Sequence, residues 1–164
     1  MSIETKRAGD EIERRVCERF PGIERESSDD SPDWRDAVVA SDVVQEPAGV
    51  VVEFDTPVEI KAACETNERG ETGRYWIRER NHREILERGG EYVLVVYSPS
   101  CANDDVDEPS DLEIERAAIT PASTVDAVIA NNVSWTSAGP GRDTHAKVSW
   151  RLFFGSLDEP EVPI

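Results

Sequence analysis

The stretch EYVLVVYS, residues 91–98, constrains the fold more than any other. From Val93 to Val96 it is apolar without a polar break. A strand with apolar residues on both faces has to be covered on both faces, so it reads as a buried strand. The segments around it can supply that cover. TKRAGDEIERRVCERF, residues 5–20, repeats Ile12, Val16 and Phe20 at a four-residue spacing, which predicts a helix stopped by Pro21-Gly22. The polar stretch ERESSDDSPD reads as loop, and DAVVASDVV, VVVEF and VEIKAAC read as strands separated by turns at EPAG and DTP.

Further along, RYWIRERNHREILERGG alternates at first, with Tyr75 and Ile77 opposite in parity to Trp76. From about Glu79 it becomes helical and ends at Gly89-Gly90. SPSCANDDVDEPSD reads as an acidic loop. LEIERAAITPASTVDAVIANN reads as a short strand and then a helix started at Thr120-Pro121. WTSAGPGRD reads as a turn, and HAKVSWRLFFG as the last strand. The predicted order α-β-β-β-α-β-β-α-β places the chain in the α/β class, with a central mixed β-sheet flanked by helices. At 164 residues the length prior gives one domain. We expect it to occupy residues 1–157, followed by a loose tail over 158–164.

The charge is lopsided. Thirty-five Asp and Glu give a net charge of −17, and of 18 basic residues only Lys6, Lys61 and Lys147 are lysines. Acidic surfaces depleted in lysine look like those of proteins in cells that hold molar salt, where the Debye length is roughly 3 Å and self-repulsion is screened. The expectation is a cytoplasmic protein in a high-salt cytosol. Net negative charge normally argues against nucleic-acid partners, but the argument weakens when counterion release contributes little. Cys17, Cys64 and Cys101 lie far apart without a CxxC, which fits a reducing compartment and has no zinc-like spacing. The N-terminal residues lack the apolar core of a secretory signal, and no run suits a membrane span. No G-x-S-x-G or phosphate-binding Gly-rich loop is present.

One of the three lysines sits in TPVEIKAAC, two residues after Glu59. In a strand, residues i and i+2 share a face, so Glu59 and Lys61 project side by side with Ile60 turned away. The carboxylate can hold a hard divalent cation, and the ammonium can steady a water or stabilise phosphate charge. Arginine would serve a surface ion pair equally well, but lysine is the more compact charge and shifts its pKa more readily.

This arrangement resembles the PD-(D/E)XK nuclease superfamily, and most of all its archaeal Holliday-junction resolvases and their halophilic relatives. Glu59-Ile60-Lys61 matches the E-x-K element, and Glu13, four residues after Gly9, matches the first-helix acid. The early Asp has three candidates. Asp33 follows Pro32, Asp36 opens DAVVA and Asp42 opens DVVQ, at 26, 23 and 17 residues before Glu59. Asp36 is favoured, then Asp42, and Asp55 in the DTP turn reads as structural. The family's late Gln is missing, and Asn81 and His82 stand near its place. His82 reads as a satisfied residue rather than a base.

The resemblance implies a restriction-endonuclease-like fold and a metal-dependent DNA endonuclease. Glu13, Asp36, Glu59 and Lys61 would be catalytic, and Asp36, Asp42 and Glu59 would hold Mg²⁺ or Mn²⁺. It also implies DNA, including branched DNA, as partner, a homodimer by analogy, and no membrane. The alternative is an inactive nuclease-fold module that binds nucleic acid or protein. Residues 69–88 carry six arginines against four glutamates. Within them Arg74, Arg78, Arg80 and Asn81 are the candidate nucleic-acid contacts, with Tyr75 and Trp76 either stacking on bases or packing in the core. Ion pairs of Glu79 with Arg83 and Glu84 with Arg88 are the competing use of that segment.

Overall fold

The computed structural model describes residues 3–26, 35–40, 43–45, 50–67, 69–99, 112–137, 139 and 143–155. The elements run α1 (Ile3–Arg19), β1 (Ile23–Arg25), β2 (Ala37–Val39), β3 (Val43–Gln45), β4 (Val50–Val52), β5 (Pro57–Cys64), β6 (Arg74–Arg78), α2 (Glu79–Glu87), β7 (Glu91–Pro99), β8 (Leu112–Pro121), α3 (Ala122–Asn132), β9 (Thr136–Ser137), β10 (Thr144–Ser149) and α4 (Arg151–Phe154). A five-stranded sheet has the order β1-β2-β5-β7-β8. Only β5 and β7 pair in parallel; the other neighbours are antiparallel, so the sheet is mixed. Separate small sheets hold β6-β10-β9 and β3-β4. The architecture is α/β with flanking helices, as the restriction-endonuclease-like fold requires.

The apolar run of β7 is central, and Tyr92 through Val96 have no exposed surface. Alternation sends its residues into two cores. Val93 and Val95 join Val58 and Ile60 of β5 and Ile12, Val16 and Phe20 of α1 on one face. Tyr92, Leu94 and Val96 join Ala63 of β5, Ile85 of α2, Val125 and Ile129 of α3, and Tyr75 and Ile77 of β6 on the other. Every second residue of β5 therefore belongs to a different core, which makes its register unambiguous. α2 stops where expected: Gly89 takes φ 62°, and the amide of Gly90 donates to Ile85 O at 2.8 Å.

Four readings are corrected. The run DAVVASDVV divides into β2 and β3, which lie in different sheets. At Val39 the ladder closes on a turn in which the Asp55 amide donates to Val39 O at 2.8 Å with Asp55 at φ 66°, so the following residues no longer accompany β5. The last strand ends at Ser149, and RLFF forms a helical turn. Trp150 Nε1 donates to Glu65 O at 2.9 Å, and Phe153 packs edge-on against Tyr75 at 6.0 Å, which folds the apolar run back onto the core. Thr136 and Ser137, read as turn, pair with β10. Glu24 and Arg25, read as the start of a loop, join Ile23 in an edge strand, β1. The expected acidic loop beyond Pro99 and the tail over 158–164 lie outside the described residues. No helix among the described residues is long and apolar enough to cross a membrane.

The path from β5 into β6 depends on close backbone approach at Gly73, whose amide donates to Glu65 O at 3.2 Å. A Cβ at Gly73 would lie 1.7 Å from Cys64 O. Gly73→Ala is therefore expected to cost about 1–3 kcal/mol, read as a thermal midpoint several degrees lower. An unchanged midpoint would show that β5 and β6 can separate at this point without penalty.

Candidate active site

β2 and β5 pair at Ala37–Val58 and Val38–Pro57, and beyond that their backbones separate. Asp36, the residue before β2, fills the gap. Its amide donates to Val58 O at 3.0 Å, and its Oδ2 accepts from the Ile60 amide at 2.7 Å. The Asp36 side chain thus takes the hydrogen bond a neighbouring strand would otherwise take, which sets its carboxylate beside the middle of β5.

Glu59 and Lys61 lie on the α2 face of β5, and their side chains form an ion pair. Glu59 is 2% exposed, and about a quarter of the Lys61 side chain reaches solvent. Burial pushes the Glu59 carboxyl up to about 7. Lys61 opposes that rise, Asp36 adds to it, and a hydrogen bond from Asn81 on α2 also favours the ionised form. For Lys61, burial works against the ammonium, but Glu59 and Asp36 outweigh it and raise its pKa. Each group favours the charged form of the other, and Asp36 sits within their field.

Glu13 approaches from α1. It pairs with Arg25 of β1 at 2.7 Å, and Arg25 also reaches Asp10 at 2.7 Å. Burial, then the Asp36 charge, raises the Glu13 pKa, while Arg25 and Lys61 lower it. Four of the residues singled out from the sequence, Glu13, Asp36, Glu59 and Lys61, therefore share one electrostatic neighbourhood, and Asn81 joins it. Asp33 and Asp42 lie outside the described residues. Arg25 was not foreseen, because a pairing between α1 and β1 has no signature in local spacing.

Among the described residues no three His, Cys, Asp or Glu side chains converge into a ready-made metal cage. The chemistry of the donors present nevertheless fits a hard cation. Asp36 and Glu59 offer carboxylate oxygens, and their two formal negative charges face a single Lys61.

His82 is accounted for by packing. It is buried, with Nδ1 3.0 Å from the Tyr92 hydroxyl and Nε2 3.2 Å from Asp126 Oδ1, and it ties α2 to β7 and α3. Burial lowers its pKa and Asp126 partly restores it. Glu79–Arg83 and Glu84–Arg88 form the expected helical ion pairs. Arg74, Arg78 and Arg80 are exposed, and Tyr75 is core while Trp76 is 58% exposed.

The model of the PD-(D/E)XK nuclease superfamily domain matches residues 2–155. The chain belongs to the PD-(D/E)XK nuclease superfamily, whose membership supports a nuclease-type function, a nucleic-acid substrate and divalent-metal chemistry. Neither the search of curated proteins nor that of solved structures returned a match.

Glu91, at the start of β7, gives a comparison within the same sheet. Burial alone pushes it up to about 7, and its Oε2 is buried without a hydrogen-bond partner among the described residues. Both carboxyls are raised from an ordinary 4.5. The stability each adds in its neutral form is complete below about 4.5 and is lost as pH rises to about 7. Glu59→Gln and Glu91→Gln are each expected to flatten the fall in thermal midpoint across that window. Variants that decline as steeply as the parent would contradict the burial argument.

Proposed function

We propose that the chain is a metal-dependent endonuclease that hydrolyses DNA phosphodiesters. The observation that supports this most is the convergence of Asp36, Glu59 and Lys61 where β2 leaves β5. Asp36, or Asp42 in its place, would hold Mg²⁺ or Mn²⁺ together with Glu59. When bound, the metal supplies Lewis-acid activation of water and neutralises charge on the phosphate. Lys61 places an ammonium where it can orient the attacking water and stabilise the developing negative charge. The Asn81 hydrogen bond favours the ionised form of Glu59, and Glu13 adds negative charge from the α1 side. Arg80, exposed in the first turn of α2, supports phosphate contact beside this centre.

The Gly9-x-x-x-Glu13 pattern within α1 favours branched DNA, as in the resolvases, and with it a homodimer. The acidic, lysine-poor composition favours action in the cytoplasm of a cell with molar internal salt. Both rest on resemblance and composition.

The test is cleavage of duplex, single-stranded and four-way-junction DNA in molar KCl with Mg²⁺ or Mn²⁺. Lys61→Ala is expected to lower the rate by at least about a hundredfold while the circular dichroism spectrum stays that of the parent. Undiminished cleavage by that variant would remove Lys61 from the mechanism. No cleavage by the folded parent on any substrate would overturn the endonuclease reading.

A further inference from the structure

The outer face of the β6–β10–β9 sheet is unlike the rest of the molecule. β6 and β10 pair with Trp76 opposite Lys147, Arg78 opposite His145 and Arg74 opposite Ser149. Their alternate residues Tyr75, Ile77, Ala146 and Val148 are buried, so those six share the outward face. There the Trp76 indole and the His145 imidazole lie parallel, 5° apart in plane with centroids at 4.8 Å. Lys147 Nζ stands 4.1 Å from the indole centroid. None of β6, β9 and β10 contains an Asp or Glu, in a chain of net charge −17. Arg74 and Arg78 form no ion pair among the described residues, whereas Arg14, Arg15, Arg25, Arg35, Arg83 and Arg88 do.

An exposed tryptophan between cationic side chains suits one kind of ligand best. A flat aromatic surface gains most from a π-face that is open, and each base of a single strand has one. In a duplex those faces are stacked away, and only edges and phosphates are presented. The cations match the phosphates that flank such a base. The surface also leads to the candidate active site: Arg78 ends β6 and is followed directly by α2, whose Asn81 bonds Glu59.

We propose that this face captures unpaired nucleotides, seating a base against the Trp76–His145 stack with Lys147, Arg74 and Arg78 on the backbone. The substrate then carries a single-stranded segment that runs along β6 towards Asp36, Glu59 and Lys61. This deepens the endonuclease reading and rests on it for the destination of the strand.

The experiment measures fluorescence anisotropy of a short labelled oligo(dT), a blunt duplex of equal length and a labelled poly-Glu peptide, in molar KCl with EDTA so that nothing is cut. The parent is expected to bind oligo(dT) more tightly than the other two. Trp76→Ala should weaken oligo(dT) binding by about fivefold to a hundredfold, with Trp76→Phe between it and the parent. Lys147→Ala, on the other strand, should weaken it as well and provides a second reading if Trp76→Ala fails to fold. Equal oligo(dT) affinity in parent, Trp76→Ala and Lys147→Ala would overturn the proposal. So would preference for the duplex, and tighter binding of poly-Glu would reassign the face to an acidic protein partner. The endonuclease reading fails separately: oligo(dT) binding that depends on Trp76, without cleavage in the metal-containing assay, removes the chemistry and leaves the capture surface. Cleavage with binding indifferent to Trp76 does the reverse.

Discussion

The parallel pairing of β5 with β7 organises the molecule. Parallel neighbours cannot be joined by a tight turn, so the chain between Cys64 and Glu91 has to cross over before returning. That crossover is β6 and α2, and both matter to the site. α2 covers the face of β5 from which Glu59 and Lys61 project, and brings Asn81 to Glu59. β6 pairs with β10 and creates a second surface beside the first. The same pairing fixes which residues of β5 face α1 and which face α2, since Ile60 and Glu59 enter opposite cores. A slip of one residue would exchange a buried isoleucine with the ion pair and lose both the core and the chemistry.

Burying Glu59 opposes stability, and the surroundings offset only part of that. An isolated carboxylate in an apolar setting neutralises itself rather than remain charged. Lys61 and Asn81 resist this but leave the group near 7, because Asp36 pushes the other way. A structural ion pair would gain from having Asp36 elsewhere. Placing a second acid there, held by the Ile60 amide, makes sense if another cation is to share the carboxylates. The choice of lysine follows the same logic: it concentrates its charge near the Glu59 oxygens, where arginine would spread it over a planar fork.

Much of this was readable from residue patterns, for identifiable reasons. Period two sets Glu59 and Lys61 on one face whatever the rest of the fold does. The change of period near Glu79 marks the start of α2, and parity sends Tyr75 inward and Trp76 outward. What was unreadable depends on contacts distant in sequence. β1 has a single buried residue, Ile23, so no periodicity distinguishes it from loop. RLFF is apolar in a way that fits strand or helix, and it is settled by Trp150 reaching Glu65. Arg25 meets Glu13 only because β1 lies against α1. His145 and Lys147 meet Trp76 only through the register of β10, and nothing near HAKVS announces an aromatic neighbour.

The distribution of charge connects these points. Two of the three lysines, Lys61 and Lys147, stand at the candidate catalytic pair and on the outer face of the neighbouring sheet. Both places also hold groups that act only at contact distance: the Asp36 and Glu59 carboxylates, and an exposed indole flanked by His145 and Lys147. A net charge of −17 would keep a polyanion away at low ionic strength. Molar salt would screen that repulsion beyond about one Debye length and leave stacking and metal ligation largely intact. On the proposed reading, nucleic acid would be recognised by what the protein places in contact rather than by its overall field. Arg74 and Arg78 of β6 form no ion pair among the described residues, while Arg14 and Arg15 of α1, Arg83 of α2 and Arg88 at its end are tied to glutamates, which leaves β6 with cations free for this mode of recognition.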